Sequence, residues 1–480
     1  MEPAKYMQLP EDFLCEMEVQ LGKAEAEQLA ASLNDEASVS VRLNRRLFPD
    51  ADLSDGKGLL HLPLDERVPW CERGWYLRER PVFTLDPLFH AGAYYVQEAS
   101  SMYLWKVLRT YLPKRSLVAL DLCAAPGGKS TLTLDAIPAG SLLVSNEIVW
   151  QRAQILRENM VKWGSGYSII TSCDSERFAS IGEIFDLIVC DAPCSGEGMF
   201  RKDANAIAEW SLKNVEMCVE RQREILRNAW ACLKPGGLLV YSTCTFNRHE
   251  NEENVDWLVD TFDAEWLESR RFMPHLTRGE GLFMAALKKG EGDVADLQDG
   301  AVFDTQDKET RHAWNNRNRE SQNRGKGHQS VKVPADIKGW LVDGEQFSFH
   351  LDEKTRVLTA FPIPYIYIQD ALQRQHIQIL HAGIPLAVDK GNVHKGSSWQ
   401  PLHSLALSGF LNREDFAEVE LSREEALDYL RLQGVTLAPS TPRGFVLVTY
   451  RNCPLGFAKH LGNRSNNLYP SEWRIRMNTD

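Results

Sequence analysis

The stretch that most constrains this chain is Leu117 to Ser130, LVALDLCAAPGGKS, where an apolar run breaks into a small-residue turn and then into a helix-compatible segment. A run this apolar has no face to offer water. It reads as a buried parallel strand, which places the turn at the C-terminal edge of a sheet. Gly127 and Gly128 let the backbone turn tightly and approach a ligand closely. A glycine pair alone is equally a plain strand-to-helix turn. Three more apolar runs favour the ligand loop: LLVSNE ends in Glu147, YSIITSCD ends in Asp174, and FDLIVCDAPCSG carries Asp191 where its apolar part stops.

Glu147 follows Asp121 by twenty-six residues, close to where a Rossmann-like unit places a carboxylate for ribose hydroxyls. The loop is neither G-x-G-x-x-G nor a Walker A sequence, because the upstream glycine before Lys129 and Ser130 is missing. A phosphate-bearing dinucleotide is therefore disfavoured. A nucleoside cofactor without phosphates, S-adenosylmethionine, fits better.

At 480 residues the chain has room for two to four domains. No run approaches the roughly 18 apolar residues needed to span a membrane, and the opening MEPAKYMQLPEDF lacks the apolar stretch of a signal peptide. A cytoplasmic protein without membrane contact is expected. Ten cysteines without a repeating C-x-x-C pattern suggest neither a disulfide framework nor a metal site. The net charge of −12 argues against a generally basic, nucleic-acid-coating surface, but it leaves room for local basic patches.

In chain order, Leu14, Met17 and Leu21 recur at helical spacing before Gly22, and SVSVRLN alternates like a half-buried strand whose end, Arg42 and Asn44, is expected to be exposed. Residues 60–95 mix prolines, tryptophans and tyrosines and suggest a compact irregular unit packed on its neighbour. YYVQEASSM, Tyr94 to Met102, leads into a helix through Leu108. Residues 115–290 alternate apolar runs with helical segments, the pattern of a doubly wound α/β sheet. One helix carries Val149, Ala153, Leu156, Met160 and Trp163 on one face. Another carries Val215, Val219, Leu226, Ala229 and Leu233 and stops at Lys234-Pro235-Gly236-Gly237 before a fifth strand, LLVYSTCT. Right-handed crossovers put all these strand ends on one edge, bringing Asp191, Cys194 and Cys244 near Gly127.

Between residues 311 and 334 six Lys/Arg stand against one acidic residue with almost no aliphatics. This composition reads as a flexible linker, with contact to RNA phosphates as the alternative. Beyond it, Ser422 and Glu425 form a capping-box pattern. In the last forty residues basic side chains interleave with Tyr450, Phe457 and Tyr469, a pattern that suits either an RNA-binding surface or a small capping domain.

Two cysteines follow apolar strands and open onto the cofactor edge: Cys194 in D-A-P-C-S-G and Cys244 in Y-S-T-C-T. Each alone is more simply a buried core residue. Together they suggest catalysis, because methylating an unreactive ring carbon needs a thiol beside a methyl donor. Cytosine C5 becomes nucleophilic only after something adds at C6, and a thiolate is a suitable addition partner. Asp191 is placed to assist as an acid near N3, and release of the thiol after loss of the C5 proton gives the second cysteine a task.

At these residues the chain resembles the Fmu/Sun family of S-adenosylmethionine-dependent RNA cytosine-5 methyltransferases. The likeness runs through Tyr94–Met102, Asp121–Lys129, DAPCSGEGMFRKD at 191–203 and YSTCTFNRHENEE at 241–253. The resemblance implies a Rossmann-like class I methyltransferase core with an N-terminal α+β module and a C-terminal α+β, PUA-like extension. It implies Cys244 as nucleophile and Cys194 as promoter of release. It assigns the cofactor to Cys123, Ala124, Ala125, Pro126, Gly127, Gly128 and Lys129, with Glu147 on the ribose, Asp174 on the adenine and Asp191 completing the site. Lys129 and Asp191 also fall where the family meets the target base. The layout is similar to the bacterial small-subunit ribosomal RNA methyltransferase F subfamily, which makes ribosomal RNA or the small ribosomal subunit the expected partner and DNA an unexpected one. Its implied divisions are an RNA-binding-type module at 1–92, the methyltransferase domain at 93–290, a linker at 291–334 and a C-terminal region at 335–480. Ala204 departs from the family, whose members commonly follow R-K-D with proline.

Four other readings compete. A DNA cytosine-5 methyltransferase would make Cys194 the attacker, a tRNA methyltransferase would share the chemistry, and a non-catalytic ribosome-assembly factor would keep only the fold. A small-molecule methyltransferase is compatible with the fold but leaves the second cysteine unexplained.

Overall fold

The apolar runs that frame the loop at Gly127 assemble into one eight-stranded sheet. The structure, a computed structural model, describes residues 8–49, 62–290, 333–391 and 398–477. Most of the 291–334 linker therefore lies outside the described residues. The central sheet contains β5 (Val118–Asp121), β6 (Leu142–Asn146), β7 (Ser168–Ser172), β8 (Phe185–Asp191), β9 (Leu233–Thr243), β10 (Glu265–Phe272) and β11 (Leu282–Lys288). Its order is β10-β11-β9-β8-β5-β6-β7, with one more strand beyond β7.

Strands β7, β6, β5, β8 and β9 are mutually parallel, and β11 runs antiparallel to β9. The chain winds outward from β5 to β7 and then crosses back to β8. This reversal opens a crevice at the C-terminal ends of β5 and β8, where open α/β sheets take their ligands. The runs are apolar throughout because helices cover both faces. Ala119, Leu187 and Val189 pack on one side with Leu132, Leu156 and Met160, while Leu120, Ile188 and Cys190 pack on the other with Leu226, Ala229 and Trp230.

The N-terminal sheet, β2 (Leu64–Arg67), β3 (Gly74–Leu77), β1 (Ser40–Leu43) and β4 (Tyr94–Val96) in that order, is more regular than the composition of residues 60–95 suggested. β1 is buried at all four positions rather than on alternate ones. The expected exposed terminus is also overturned, since Arg42 and Asn44 are both fully buried. The Arg42 guanidinium meets the Asp135 carboxylate at 2.6 Å, the Thr131 hydroxyl at 2.7 Å and the Gln97 side-chain oxygen at 2.8 Å. Thr131 and Asp135 belong to the helix Gly128–Ala136. This module is thus joined to the helix that follows the glycine loop.

The helix Leu212–Cys232 begins at Ser211, whose hydroxyl caps Asn214 N, and ends two residues before the expected Lys234, running directly into β9. The eighth strand of the central sheet, β14, comes from the C-terminal region. After β12 (Phe347–Leu351) and β13 (Val357–Pro362), β14 (Gln378–Ala382) pairs antiparallel with β7, so a segment past residue 335 completes the sheet. β12 and β13 join β15 (Ile384–Asp389) and β16 (Trp399–Pro401) in a third sheet, and β17 (Ala417–Glu420), β18 (Gly444–Tyr450), β19 (Cys453–His460) and β20 (Ser465–Asn467) form a fourth. The Ser422 and Glu425 capping box is formed. Tyr450, Phe457 and Tyr469 are core residues, so the aromatic part of the expected RNA surface is absent. Arg443, Arg464, Arg474 and Arg476 are exposed on this unit. Among the described residues no helix is long and apolar enough to cross a membrane.

Candidate active site

Each predicted site residue stands at the C-terminal end of a parallel strand. The loop Cys123–Gly127 leaves β5 and enters the helix at Gly128, with Gly127 at φ +114°, a left-handed conformation that favours glycine. Glu147 follows β6, Asp174 follows β7, Asp191 ends β8, and Cys194 and Cys244 lie just past β8 and β9. Ala124 N donates to Asn146 O, and the Asn146 side chain bonds Leu122 O, Cys173 O and Thr171 Oγ1, tying together the ends of β5, β6 and β7.

The two sulfurs are 3.2 Å apart. The contact with Cys244, followed by burial, pushes the Cys194 thiol well up, so Cys194 keeps its proton and can donate it to Cys244 Sγ. Lys129 Nζ is 2.8 Å from Asp191 Oδ1, which also accepts from Ser242 Oγ at 2.7 Å. Burial works against the Lys129 ammonium, but Asp191, with help from Cys244 and Asp121, raises its pKa overall. A positive charge therefore stands within electrostatic reach of Cys244.

Cys123 faces Cys190, and that contact together with burial keeps its thiol protonated. Glu147 is buried, accepts from Val149 N at 2.9 Å and lies 3.4 Å from Arg152, whose guanidinium also donates to Ala125 O. Asp174 is exposed at the rim. Asp121 is fully buried; burial pushes its carboxyl up to about 7 even though Ser130 Oγ donates to Oδ2 at 2.6 Å. Its Oδ1 is buried with no partner among the described residues.

The chemistry of this donor set fits S-adenosylmethionine. Glu147, Asp174 and Asp191 give the edge an acidic lining that attracts a sulfonium cation and repels phosphates, and carboxylates accept hydrogen bonds from sugar hydroxyls.

Sequence reasoning missed the residues that bring the cysteines together. Glu250 is buried and accepts from Ser195 N (2.9 Å), Ser195 Oγ (2.5 Å), Gln222 Nε2 (2.8 Å) and Asn247 Nδ2 (2.7 Å). Glu197, also buried, accepts from Phe246 N, Asn247 N and Trp210 Nε1. Gly198 N donates to Cys244 O at 2.8 Å. The loop after β8 is thereby fastened to the loop after β9. The available signal was the presence of acidic residues, Glu197 and Glu250, within turns that each follow an apolar strand. The Arg201 side chain is buried against Glu280 at 2.9 Å and Gly279 O, so it is not free to grip RNA phosphate. Lys202 is half-exposed.

Comparison with known proteins agrees with this geometry. Residues 110–288 match the family model of the 16S rRNA methyltransferase RsmB/F, residues 9–99 that of the N-terminal domain of 16S rRNA methyltransferase RsmF, and residues 416–475 that of the methyltransferase RsmF PUA domain. The chain is 32% identical over 442 residues to the ribosomal RNA small subunit methyltransferase F of Salmonella paratyphi A, covering 84% of each chain. A methyltransferase homolog from Pyrococcus horikoshii superposes with a TM-score of 0.50 at 27% identity, covering 58% of this chain and all of that one. NSun6 from the same organism, solved with the S-adenosylmethionine analogue SFG, shares the fold at a TM-score of 0.50 and 20% identity, covering 58% of this chain and 98% of that one. The chain thus belongs to the ribosomal RNA small subunit methyltransferase F family, enzymes that draw their methyl group from S-adenosylmethionine.

Proposed function

We propose that this edge methylates C5 of a cytosine in small-subunit ribosomal RNA through a covalent bond between Cys244 and C6. The observation that carries the reading is the cysteine pair, 3.2 Å apart at the strand-end crevice beside the Lys129–Asp191 ion pair. Cys244, the sulfur nearer in role to the ammonium, adds as thiolate to C6, and the ring's electrons move toward N3 and make C5 nucleophilic. Lys129 and Asp191 meet the polar edge of the ring and take up the charge that develops there. S-adenosylmethionine supplies the electrophilic methyl that C5 takes up. In the release step Cys194 gives its thiol proton to the Cys244 sulfur as the C6–S bond breaks, and the Cys194 thiolate so formed takes the C5 proton, whose bonding electrons become the C5–C6 double bond.

The cofactor-holding residues in this reading are Cys123 to Lys129, with Glu147 on the ribose, Asp174 on the adenine and Asp191. The target cytosine must be unstacked to reach Cys244, at a cost of a few kcal/mol that binding by the flanking modules offsets. The exposed arginines of the PUA unit serve that binding, and the cytoplasm is where such a substrate is met. The division at residues 92, 290 and 334 is retained as a proposal, with β14 crossing it.

Cys244→Ala and Cys194→Ala, each incubated with labelled methyl donor and total RNA and resolved on denaturing gels, test the assignment. Cys244→Ala is expected to transfer no methyl, and Cys194→Ala to accumulate a protein–RNA adduct. An adduct formed by Cys244→Ala would reverse the two roles. Sequencing the trapped RNA separates ribosomal from transfer RNA.

A further inference from the structure

One cavity in the described residues lies away from the cysteines. It has a volume of about 240 Å³ and lies between the N-terminal sheet and the helix Trp150–Trp163. Neither cysteine lines it, and neither do Glu147 or Asp174. One wall is an aromatic cluster of Phe83, Phe89 and Tyr94 with ring centroids 6.0–6.3 Å apart, and the other holds Tyr95 and Trp163, edge to face at 6.3 Å. Two cations border the first of these walls: exposed Arg80 lies 5.7 Å from the Phe83 ring, and buried Lys162 lies 5.6 Å from the Phe89 ring, its ammonium paired with Glu158.

The floor is polar and continuous with the cofactor loop. Asn159 Nδ2 donates to Pro126 O at 2.8 Å and reaches the Tyr95 hydroxyl at 3.4 Å; Asn159 and Tyr95 pack beside Gly127 behind Leu156, and Tyr95 is the side chain nearest Gly128. The walls are fixed in place. A Cβ at Gly92, which adopts φ +68°, would fall on the Lys162 carbonyl oxygen, and Asn44 Nδ2 joins Gly92 O at 2.8 Å to Trp163 O at 3.1 Å.

We propose that this cleft takes one unstacked nucleobase of the RNA substrate, at a position other than the methylated cytosine; the inference rests on the RNA-substrate reading above. Aromatic walls accept the π-face of any base, the exposed Arg80 at the rim suits an attached phosphate, and a hydroxyl and an amide at the floor offer hydrogen bonds to a base edge. Because the walls are preformed, binding loses little to reorganisation. The base is held against the back of the cofactor loop, which sets the RNA's register relative to the strand ends.

The test uses the full chain and a ribosomal RNA fragment carrying the cytosine found in the Cys194→Ala adduct, together with versions bearing a single abasic nucleotide at each other position. One abasic position is expected to weaken binding to the wild type by about tenfold to a hundredfold. Phe83→Ala should bind intact RNA that much more weakly and lose all sensitivity to that same abasic position, with S-adenosylmethionine affinity retained. Arg80→Ala, at an exposed position, is expected to show a partial form of the same coupling and serves if Phe83→Ala does not fold. If the wild type binds and methylates the fragment but no abasic effect is reduced in either variant, the cleft is not a base site. If the wild type binds no RNA, the RNA-substrate reading fails and this inference fails with it.

Discussion

Two buried polar networks hold this enzyme in shape, and they satisfy their carboxylates in opposite ways. At the seam between the N-terminal sheet and the helix Gly128–Ala136, Asp135 is met by a cation, Arg42, with Trp163 Nε1 donating to its other oxygen. Under the cysteines, Glu250 is met only by neutral donors, an amide N–H, a hydroxyl and two side-chain amides. The seam joins modules that are distant in sequence, where a strong, geometrically forked contact fixes orientation. The strand-end network places atoms within one sheet, where a cation would compete with Lys129 for Asp191 and alter the charge at Cys244. A shared need for buried carboxylates is thus answered differently according to whether the site must be held together or kept electrically quiet.

The largest test of this contrast is at the seam. Burial pushes Arg42 down and Asp135 up, so each is retained as an ion by the other. Arg42→Met leaves Asp135 buried without its cation and is expected to cost about 3–5 kcal/mol, read by chemical denaturation. Pairing it with Asp135→Leu should recover much of that loss. A single-variant loss below about 1 kcal/mol would mean that the seam is no more than a surface contact.

Asp121 falls between the two cases, with one hydroxyl donor and one unpartnered oxygen. Its carboxyl is raised from 3.8 to about 7, which makes the native state the stronger proton binder between those values. The sign follows from linkage: stability falls as pH rises from about 4 to about 7. Asp121→Asn should remove that slope and leave the protein more stable at neutral pH, by a few kcal/mol at most. Denaturation midpoints across this pH range check it. A variant with the wild-type slope would show that Asp121 is ionised in the fold well below neutrality.

The contrast also explains what the sequence disclosed. Strands β5 to β9 were legible because burial on both faces writes an unbroken apolar run, and the site residues were legible because each run ends in a group that apolar packing does not need. Arg42 and Asn44 were misread because a polar residue at a strand end is usually solvated, and nothing local announces that Asp135, ninety-three positions away, will cover it. Tyr450, Phe457 and Tyr469 left two readings open for the complementary reason: alternation with basic residues describes a strand with one core face, which is what these three residues serve, as well as it describes a binding surface. Strand β14 was invisible as a member of the central sheet because edge pairing leaves no mark on the pairing strand's own sequence. Glu197 and Glu250 were quoted within family-like motifs without a role, since a carboxylate held by neutral donors differs from a solvated one only in its surroundings.

The smallest expected effect, and the most informative for the strand ends, comes from Glu250. Glu250→Ala leaves Ser195 N without its acceptor, takes one acceptor each from Gln222 and Asn247, and loosens the loop that carries Cys194 from the loop that carries Cys244. The sulfur spacing should drift by an amount that costs about a hundredfold in methyl transfer. Affinity for S-adenosylmethionine should hold, because the cofactor edge is tied separately by Asn146. Glu250→Gln is expected to recover only part of the rate: one of its two terminal atoms becomes a donor, and each oxygen it replaces accepts from two donors here. A merely structural carboxylate would lower the denaturation midpoint and the rate together, whereas a positioning one lowers the rate and slows alkylation of Cys244 by iodoacetamide while the cofactor affinity stays level. Equal losses in cofactor affinity and turnover would therefore place Glu250 with the seam's class of contact, and the neutral network would no longer be a distinct way of holding a carboxylate.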